Sequence, residues 1–98
     1  MYIDKYGNVI LSQYYREVIK DIDLHRGDRV DVYIFNNNVN RVRAYVIESF
    51  SDIAKDTLVL YENSFGFIEI AVNQGSAKDI LNIHEDCLIK ICKSSSQT

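Results

Sequence analysis

The segment Arg29–Phe35 alternates cleanly between apolar and polar side chains, the period-two pattern of a β-strand with one buried face. A second alternating segment, Arg41–Ser49, follows three asparagines, Asn36-Asn37-Asn38, which accept left-handed backbone geometry at low cost. The residues expected on the buried face are Val30, Val32 and Ile34 in the first segment and Val42, Ala44 and Val46 in the second. The pattern therefore predicts an antiparallel hairpin.

Further short strands and two helices are expected around this hairpin. The segments that fit strands are Met1–Ile3, Val9–Leu11, Thr57–Tyr61, Phe67–Val72 and Leu88–Cys92. One helix is expected over Tyr14–Asp21 with Ser12 as its cap, and another begins at Ser76 and ends near Leu81. We predict a mainly β fold, a small antiparallel β-barrel with one or two short helices, over residues 1–92, followed by a disordered polar tail over 93–98.

Size and charge narrow the class of protein. The chain has 98 residues, enough for one domain. Its formal net charge of −3 gives no electrostatic reason to expect nucleic acid or an anionic membrane as a partner. No apolar run approaches the length of a transmembrane helix, and the odd spacing of Cys87 and Cys92 points them to opposite faces of one strand. We expect a soluble, cytoplasmic protein with two free thiols.

The sequence offers no set of residues that would form a catalyst. His25 and His84 both stand at turns before strands, and neither has cysteine or histidine at metal-ligand spacing around it. The four glycines are scattered, so they do not form a phosphate-binding loop. We expect no metal site and no catalytic residue in this chain.

Two segments gather polar and aromatic groups that a plain scaffold does not require. Asp4-Lys5-Tyr6-Gly7-Asn8 places a carboxylate, an aromatic ring and a carboxamide on one tight turn. The segment from Asn63 to Gly75 has polar groups at both ends of an apolar strand and one acid, Glu69, in its middle. On a structural interpretation these groups only brace a turn, cap a loop and face water. On a functional interpretation they bind a ligand.

The two segments resemble a known family. The first has the pattern Asp-x-aromatic-Gly-Asn, and the second reads Asn-Ser-Phe-Gly-Phe-Ile-Glu-Ile-Ala-Val-Asn-Gln-Gly-Ser-Ala over residues 63–77. Together they resemble the C-terminal domain of the S-adenosyl-L-methionine hydroxide adenosyltransferases, relatives of the enzymes that fluorinate or chlorinate through the same cofactor. The resemblance extends from about Tyr2 to Cys92.

The resemblance implies a function in S-adenosyl-L-methionine (SAM) hydrolysis. In that family the ligand lies between the N-terminal domain of one subunit and the C-terminal domain of its neighbour in a trimer. A water-derived nucleophile displaces methionine at the ribose 5′ carbon and gives adenosine and methionine. The residues that activate the water belong to the N-terminal domain, so this chain alone is expected to be inactive. Its implied ligand is SAM without a metal, and its implied partners are an N-terminal catalytic domain and a homotrimer, with no nucleic acid and no membrane.

The resemblance also implies which residues contact the ligand. They are Asp4, Tyr6, Asn8, Ser64, Phe65, Glu69, Val72 and Asn73. In the first segment Asn8 would pair with the adenine edge, and Tyr6, where the family more often has phenylalanine, would stack on the purine. Asp4 would offer its carboxylate to the methionine ammonium group.

The second segment is expected to bind the rest of the ligand. Ser64 and the backbone of Phe65 would hold the methionine carboxylate. Glu69 and Val72 match contacting positions in the same motif, and Val72 would contribute main-chain groups to the adenine edge. Asn73 lies beside them and would shape the turn.

Other functions stay open at this stage. The chain could be a domain excised from a longer enzyme, one piece of a split adenosyltransferase, or a free-standing β-barrel interaction or DNA-binding module. The pattern Leu-x-x-Gly-Asp-x-Val over Leu24–Val30 also occurs in small swapped-hairpin transcription regulators. Against DNA binding, Arg41 and Arg43 on one strand supply few phosphate contacts.

Overall fold

The computed structural model describes residues 1–36, 38–48 and 56–94. This part of the chain contains seven strands and two short helices. In chain order they are β1 (Tyr2–Ile3), β2 (Val9–Tyr14), α1 (Tyr15–Asp21), β3 (Arg29–Phe35), β4 (Val39–Val46), β5 (Leu58–Glu62), β6 (Phe67–Val72), α2 (Ala77–Leu81) and β7 (Leu88–Lys93).

The seven strands form one sheet in the order β1-β2-β6-β5-β4-β3-β7. The sheet curls strongly into a half-barrel, which confirms the predicted mainly β, barrel-like fold with short helices. Neighbouring strands are antiparallel with one exception: β4 and β5 run parallel, with Tyr45 opposite Val59 and Val46 opposite Leu60. The sheet is therefore mixed, whereas the sequence predicts a purely antiparallel barrel.

The predicted hairpin of β3 and β4 is confirmed. Val30 lies opposite Ala44 and Val32 opposite Val42, so the apolar residues of both strands share one face. That face contributes to the main core, whose fully buried members include Val9, Val30, Val32, Ile34, Ala44, Ile68, Ile70 and Ala77. Burial of one such Val or Ile side chain favours folding by roughly 1.5–3 kcal/mol.

The second strand and the first helix differ from prediction. β2 continues to Tyr14, so Ser12 lies within a strand and does not cap a helix. α1 begins at Tyr15 without a side-chain cap. Tyr14 lies opposite Phe67 of β6, and this strand pairing extends β2 beyond the short strand that local sequence suggested.

The second helix begins as predicted. Ser76 Oγ accepts a hydrogen bond from the backbone amide of Asp79 at 3.3 Å, which makes Ser76 the N-cap of α2. Neither helix is long, and no helix in the described ranges could cross a membrane.

Several strand ends differ in detail from the predicted bounds. β4 spans Val39–Val46, and Ser49, predicted to end it, lies outside the described residues. β7 continues to Lys93, and the backbone amide of Ser94 still donates to the carbonyl oxygen of Arg29 at 3.1 Å. Residues 95–98 of the predicted tail also lie outside the described residues.

Candidate ligand-binding site

The turn over residues 4–8 is braced by the Asp4 side chain. Its Oδ1 accepts hydrogen bonds from the backbone amides of Tyr6 and Asn8, each at 2.9 Å, and its Oδ2 accepts one from Asn8 Nδ2 at 3.3 Å. Gly7 completes the turn at φ +84°, a left-handed geometry that favours glycine. Asp4 thus has the bracing role of the structural interpretation, and the same contacts fix the direction of the Asn8 carboxamide.

The ring of Tyr6 projects from this turn and is 69% exposed. The ammonium group of Lys5 lies 5.3 Å from the ring centroid. Beside the ring is a cavity of about 610 Å³, lined by Ile3, Asp4, Lys5, Tyr6, Gly7, Ser76, Lys78, Asp79, His84 and Glu85. Its volume is in the range of small-molecule sites, roughly 300–1,000 Å³. The cavity includes Asp4 and Tyr6 of the predicted site and does not include the predicted residues of the second segment.

The turn over residues 63–66 joins β5 to β6 and is braced in a similar way. Asn63 Oδ1 accepts hydrogen bonds from the backbone amides of Phe65 at 3.0 Å and Phe67 at 2.9 Å. Both Ser64 and Phe65 are exposed, and 80% of the Phe65 surface is open to solvent. A phenylalanine this exposed on a small domain is a surface on which a ligand or partner can pack.

Glu69 lies in the middle of β6, where the chain pairs with strands on both sides. It is opposite Ile10 of β2 and opposite Tyr61 of β5. The Tyr61 hydroxyl donates a hydrogen bond to Glu69 Oε2. Burial raises the pKa of the Tyr61 hydroxyl well above its ordinary value, and the bond to Glu69 and the charges of Glu69 and Asp4 raise it further. Glu69 therefore has a fixed partner and does not simply face water.

Val72 and Asn73 lie where β6 ends. The Val72 side chain is buried in the main core, so only its main chain is available to a ligand. The Asn73 carbonyl oxygen accepts a hydrogen bond from the amide of Asp56 at 3.0 Å, and the Asn73 amide approaches the carbonyl oxygen of Thr57 at 3.5 Å. Both contacts are made by the Asn73 backbone, so they hold the chain at the end of β6 whatever its side chain binds.

The sheet brings the two motif segments side by side. Val9, which follows Asn8, lies opposite Ile70, and Ile10 lies opposite Glu69. The 63–66 turn lies at the other end of β6. The four steps from Phe67 to Ala71, at about 3.3 Å each, separate the two ends by about 13 Å. The predicted residues thus form an elongated strip and do not converge on one point.

A second apolar cluster lies on the face of the sheet away from the main core. Ile47, Val59 and Ala71 are its buried members, and Tyr61 packs against them. Two more rings stack at the far end of the strip, where Tyr14 and Phe67 have centroids 5.0 Å apart and an interplanar angle of 14°.

Sequence reasoning missed Tyr61 and the Tyr14–Phe67 pair. The sequence does contain a signal for Tyr61. Residues 63–66 connect two antiparallel strands, and a four-residue connection places Tyr61 on the first strand opposite Glu69 on the second. Tyr14 gave no such signal, since its helical spacing placed it in α1.

The fold and this strip define a small half-barrel domain whose two motif segments lie on adjacent strands. The chain belongs to the SAM hydroxide adenosyltransferase C-terminal domain family, whose model matches residues 1–90. This match confirms the resemblance seen in the sequence. No curated protein matches the chain.

Two solved structures resemble the chain. The crystal structure of an uncharacterized conserved protein from Thermotoga maritima matches 93% of this chain at 30% identity with a TM-score of 0.82. That of a conserved hypothetical protein from Thermus thermophilus matches 91% of it at 26% identity with a TM-score of 0.60. The matched regions are 34% and 32% of those proteins, so this chain spans about a third of their length.

Proposed function

We propose that this chain binds SAM, or its adenosine part, as the C-terminal domain of a SAM hydroxide adenosyltransferase. The observation that carries the proposal is the pairing of Val9 with Ile70 and of Ile10 with Glu69. This pairing places the turn with Asp4 and Asn8 beside the strand that contains the family's long motif. Family membership over residues 1–90 supports the same function.

The strip suggests how the ligand lies. The adenine is held at the turn end, stacked on Tyr6 and paired with the Asn8 carboxamide and the main chain of Val72. The methionine end extends along β6 towards Ser64 and the backbone amide of Phe65. In this orientation the carboxylate of Glu69 lies beside the path of the positively charged methionine end. Asp4 lies at the adenine end, so its carboxylate acts on the ligand's positive charge from a distance and does not contact the ammonium group. Asn73 shapes the turn below the adenine.

The rest of the reaction requires a second domain. In this proposal an N-terminal domain supplies the residues that activate water, and the products are adenosine and methionine. The exposed ring of Phe65 at one end of the strip supports contact with such a domain, within the trimer that the family implies. The chain alone then binds weakly and has no hydrolase activity.

Isothermal titration with SAM, adenosine and methionine tests the proposal. We expect weak binding of SAM to the chain alone and tighter binding when the N-terminal domain of a longer relative is added. The variant Asn8→Ala is expected to weaken binding by about tenfold, because one paired carboxamide contributes roughly 1–1.5 kcal/mol. Asn40→Ala is the matched control, since Asn40 is exposed near the start of β4 and belongs to neither motif segment.

Two results would contradict the proposal. If Asn8→Ala and Asn40→Ala bind SAM equally well, the strip is not the site. If adding the N-terminal domain restores neither SAM binding nor adenosine release, the chain does not act as half of this enzyme. Adenosine release by the mixture, and by neither part alone, would identify a split enzyme.

The surface arginines do not favour the DNA-binding alternative. Arg43 Nε lies 3.6 Å from Asp31 Oδ1, and Arg41 Nη1 lies 4.0 Å from Asp31 Oδ2. The Asp31 carboxylate therefore partly neutralises the two arginines that a nucleic acid would need on this strand.

A further inference from the structure

β7 lies at one edge of the sheet, and in the described part of the chain its only strand partner is β3. The Ser94 amide donates a hydrogen bond to the Arg29 carbonyl oxygen at 3.1 Å, which shows that Arg29 and Ser94 form a hydrogen-bonded pair of the β3–β7 ladder. Hydrogen-bonded pairs recur at every second residue of an antiparallel ladder. The amides and carbonyls of Ile89, Ile91 and Lys93 therefore point away from β3, towards the open edge.

The other edge of the sheet faces β7 across the opening of the half-barrel. There the short strand β1 covers only the first residues of β2. β1 pairs with β2 at Val9 and Ile10, and the pairing of β2 with β6 is irregular between Ile10 and Tyr14. A cavity of about 170 Å³ lies between β2 and β7, a second of about 200 Å³ lies between α1 and β7, and Gln13 and Ile89 line both. We call this opening the β2–β7 seam.

The inner side of the seam is apolar. Ile89 and Ile91 pack against the main core but stay partly exposed, as do Val18 and Ile22 of α1. An edge that combines outward-pointing backbone groups with partly exposed apolar side chains is the surface that strand addition uses, because an added strand satisfies both.

The outer side of the seam is positively charged at Lys90. This side chain is exposed and lies opposite Tyr33, on the face away from the core. The nearby acid on that face, Asp31, already accepts a hydrogen bond from Ser94 Oγ at 2.9 Å and lies beside Arg41 and Arg43. Lys90 forms no ion pair within residues 1–36, 38–48 and 56–94. Asp21 of α1 lines the second cavity together with Lys90 but forms no ion pair with it in the described part of the chain, so the Lys90 ammonium group is available to an incoming acidic side chain.

We propose that the β2–β7 seam binds an extended peptide strand of a polypeptide partner. The strand pairs with the outward backbone groups of Ile89, Ile91 and Lys93, places alternate apolar side chains into the seam, and places an acidic side chain beside Lys90. This surface is distinct from the SAM strip on β2 and β6, and the proposal does not depend on SAM binding.

The test uses the full chain and two acetylated hexapeptides, one alternating valine with glutamate and one alternating valine with lysine. Each is titrated into ¹⁵N-labelled protein. We expect the glutamate peptide to shift the amide signals of Ile89, Ile91 and Lys93 and to slow their hydrogen exchange, with little effect of the lysine peptide. The variant Lys90→Glu is expected to reverse the preference, by about tenfold in the ratio of the two affinities.

Lys93→Pro separates pairing from folding. The Lys93 amide is not used by β3, its side chain is exposed, and proline is tolerated at an edge position whose amide points outward. We expect this variant to keep the native spectrum, because no core side chain changes, and to weaken binding of the glutamate peptide. The proposal is overturned if the glutamate peptide leaves the three amides of the native chain unchanged, or if Lys93→Pro and Lys90→Glu both bind this peptide as tightly as the native chain does. It is also overturned if the same amides become protected without peptide as protein concentration rises, because a second copy then occupies the edge.

Discussion

Tyr61 of β5 donates a hydrogen bond to the carboxylate of Glu69 on β6, and the charge of Asp4 acts on the same hydroxyl. A residue outside both motif segments therefore connects an acid of the first segment with an acid of the second. Both negative charges favour the protonated form of the Tyr61 hydroxyl, which keeps it a hydrogen-bond donor.

Replacement of Tyr61 by phenylalanine should destabilise the domain by about 1–2 kcal/mol, because Glu69 loses a charge-assisted hydrogen bond while the ring packing stays. Urea denaturation followed by circular dichroism measures the change. Tyr33→Phe is the matched control, since Tyr33 is also half-buried on a strand, and its effect should be within about 0.5 kcal/mol. Equal loss in the two variants would show that the bond contributes nothing.

Stability should fall at alkaline pH in a way that depends on Tyr61. The pKa of its hydroxyl is raised in the folded state above the ordinary value of 10.0. Its contribution is therefore complete below pH 10 and is lost as the pH rises through the folded-state pKa. Between pH 9 and about 12 the urea midpoint of the native chain should fall more steeply than that of Tyr61→Phe. Parallel curves would contradict the raised pKa.

Two substitutions of Asp4 distinguish its hydrogen bonds within the turn, which affect stability, from its negative charge, which would affect ligand binding. Asp4→Asn keeps an oxygen that accepts the amides of Tyr6 and Asn8 and loses only the longer bond from Asn8 Nδ2, so the loss of stability should be about 1 kcal/mol or less. Asp4→Ala removes that oxygen and should cost about 1–3 kcal/mol. If the carboxylate also attracts the cationic ligand, Asp4→Asn should weaken SAM binding by about tenfold in calorimetry despite its near-native stability. Unchanged affinity in a folded Asp4→Asn variant would leave only the bracing role.

Gly7 should be far less tolerant of alanine than Gly27, although both have positive φ. A Cβ at Gly7 would lie 2.0 Å from the Oγ of Ser76, the residue that caps α2, whereas a Cβ at Gly27 has no neighbour within 4 Å. Gly27→Ala therefore reports the backbone cost alone, about 1–2 kcal/mol. Gly7→Ala should cost at least about 2 kcal/mol more, since the Ser76 cap must move. Thermal unfolding of the two variants measures the difference, and equal melting temperatures would refute it.

Local sequence patterns were sufficient to predict the elements whose defining residues lie close together in the chain. The alternation of Val30, Val32 and Ile34 predicted the β3–β4 hairpin, and the serine and acid at Ser76 and Asp79 predicted the cap of α2. Both features are formed by residues a short distance apart in the chain, so they can be recognised without knowing which distant segments pack against them.

Features that depend on distant pairing were not predictable in the same way. Ser12 was expected to cap a helix, but the pairing of Tyr14 with Phe67 holds this region in a strand. The parallel alignment of Tyr45 with Val59 also arises from the path of the sheet, which strand periodicity does not encode. The motif residues were located by family resemblance, which also implied that the two segments come together, whereas the register that brings them side by side, Val9 opposite Ile70, depends on pairing between distant parts of the chain.

Because the Asp4 carboxylate already holds three donors, the turn over residues 4–8 is rigid before any ligand arrives. A ligand that docks there has little backbone entropy to remove, so association should be fast and should show no slow ordering phase in stopped-flow measurements. The turn is therefore a preformed surface, and under the proposed function any further selectivity for the ligand would come from the residues that a second domain contributes.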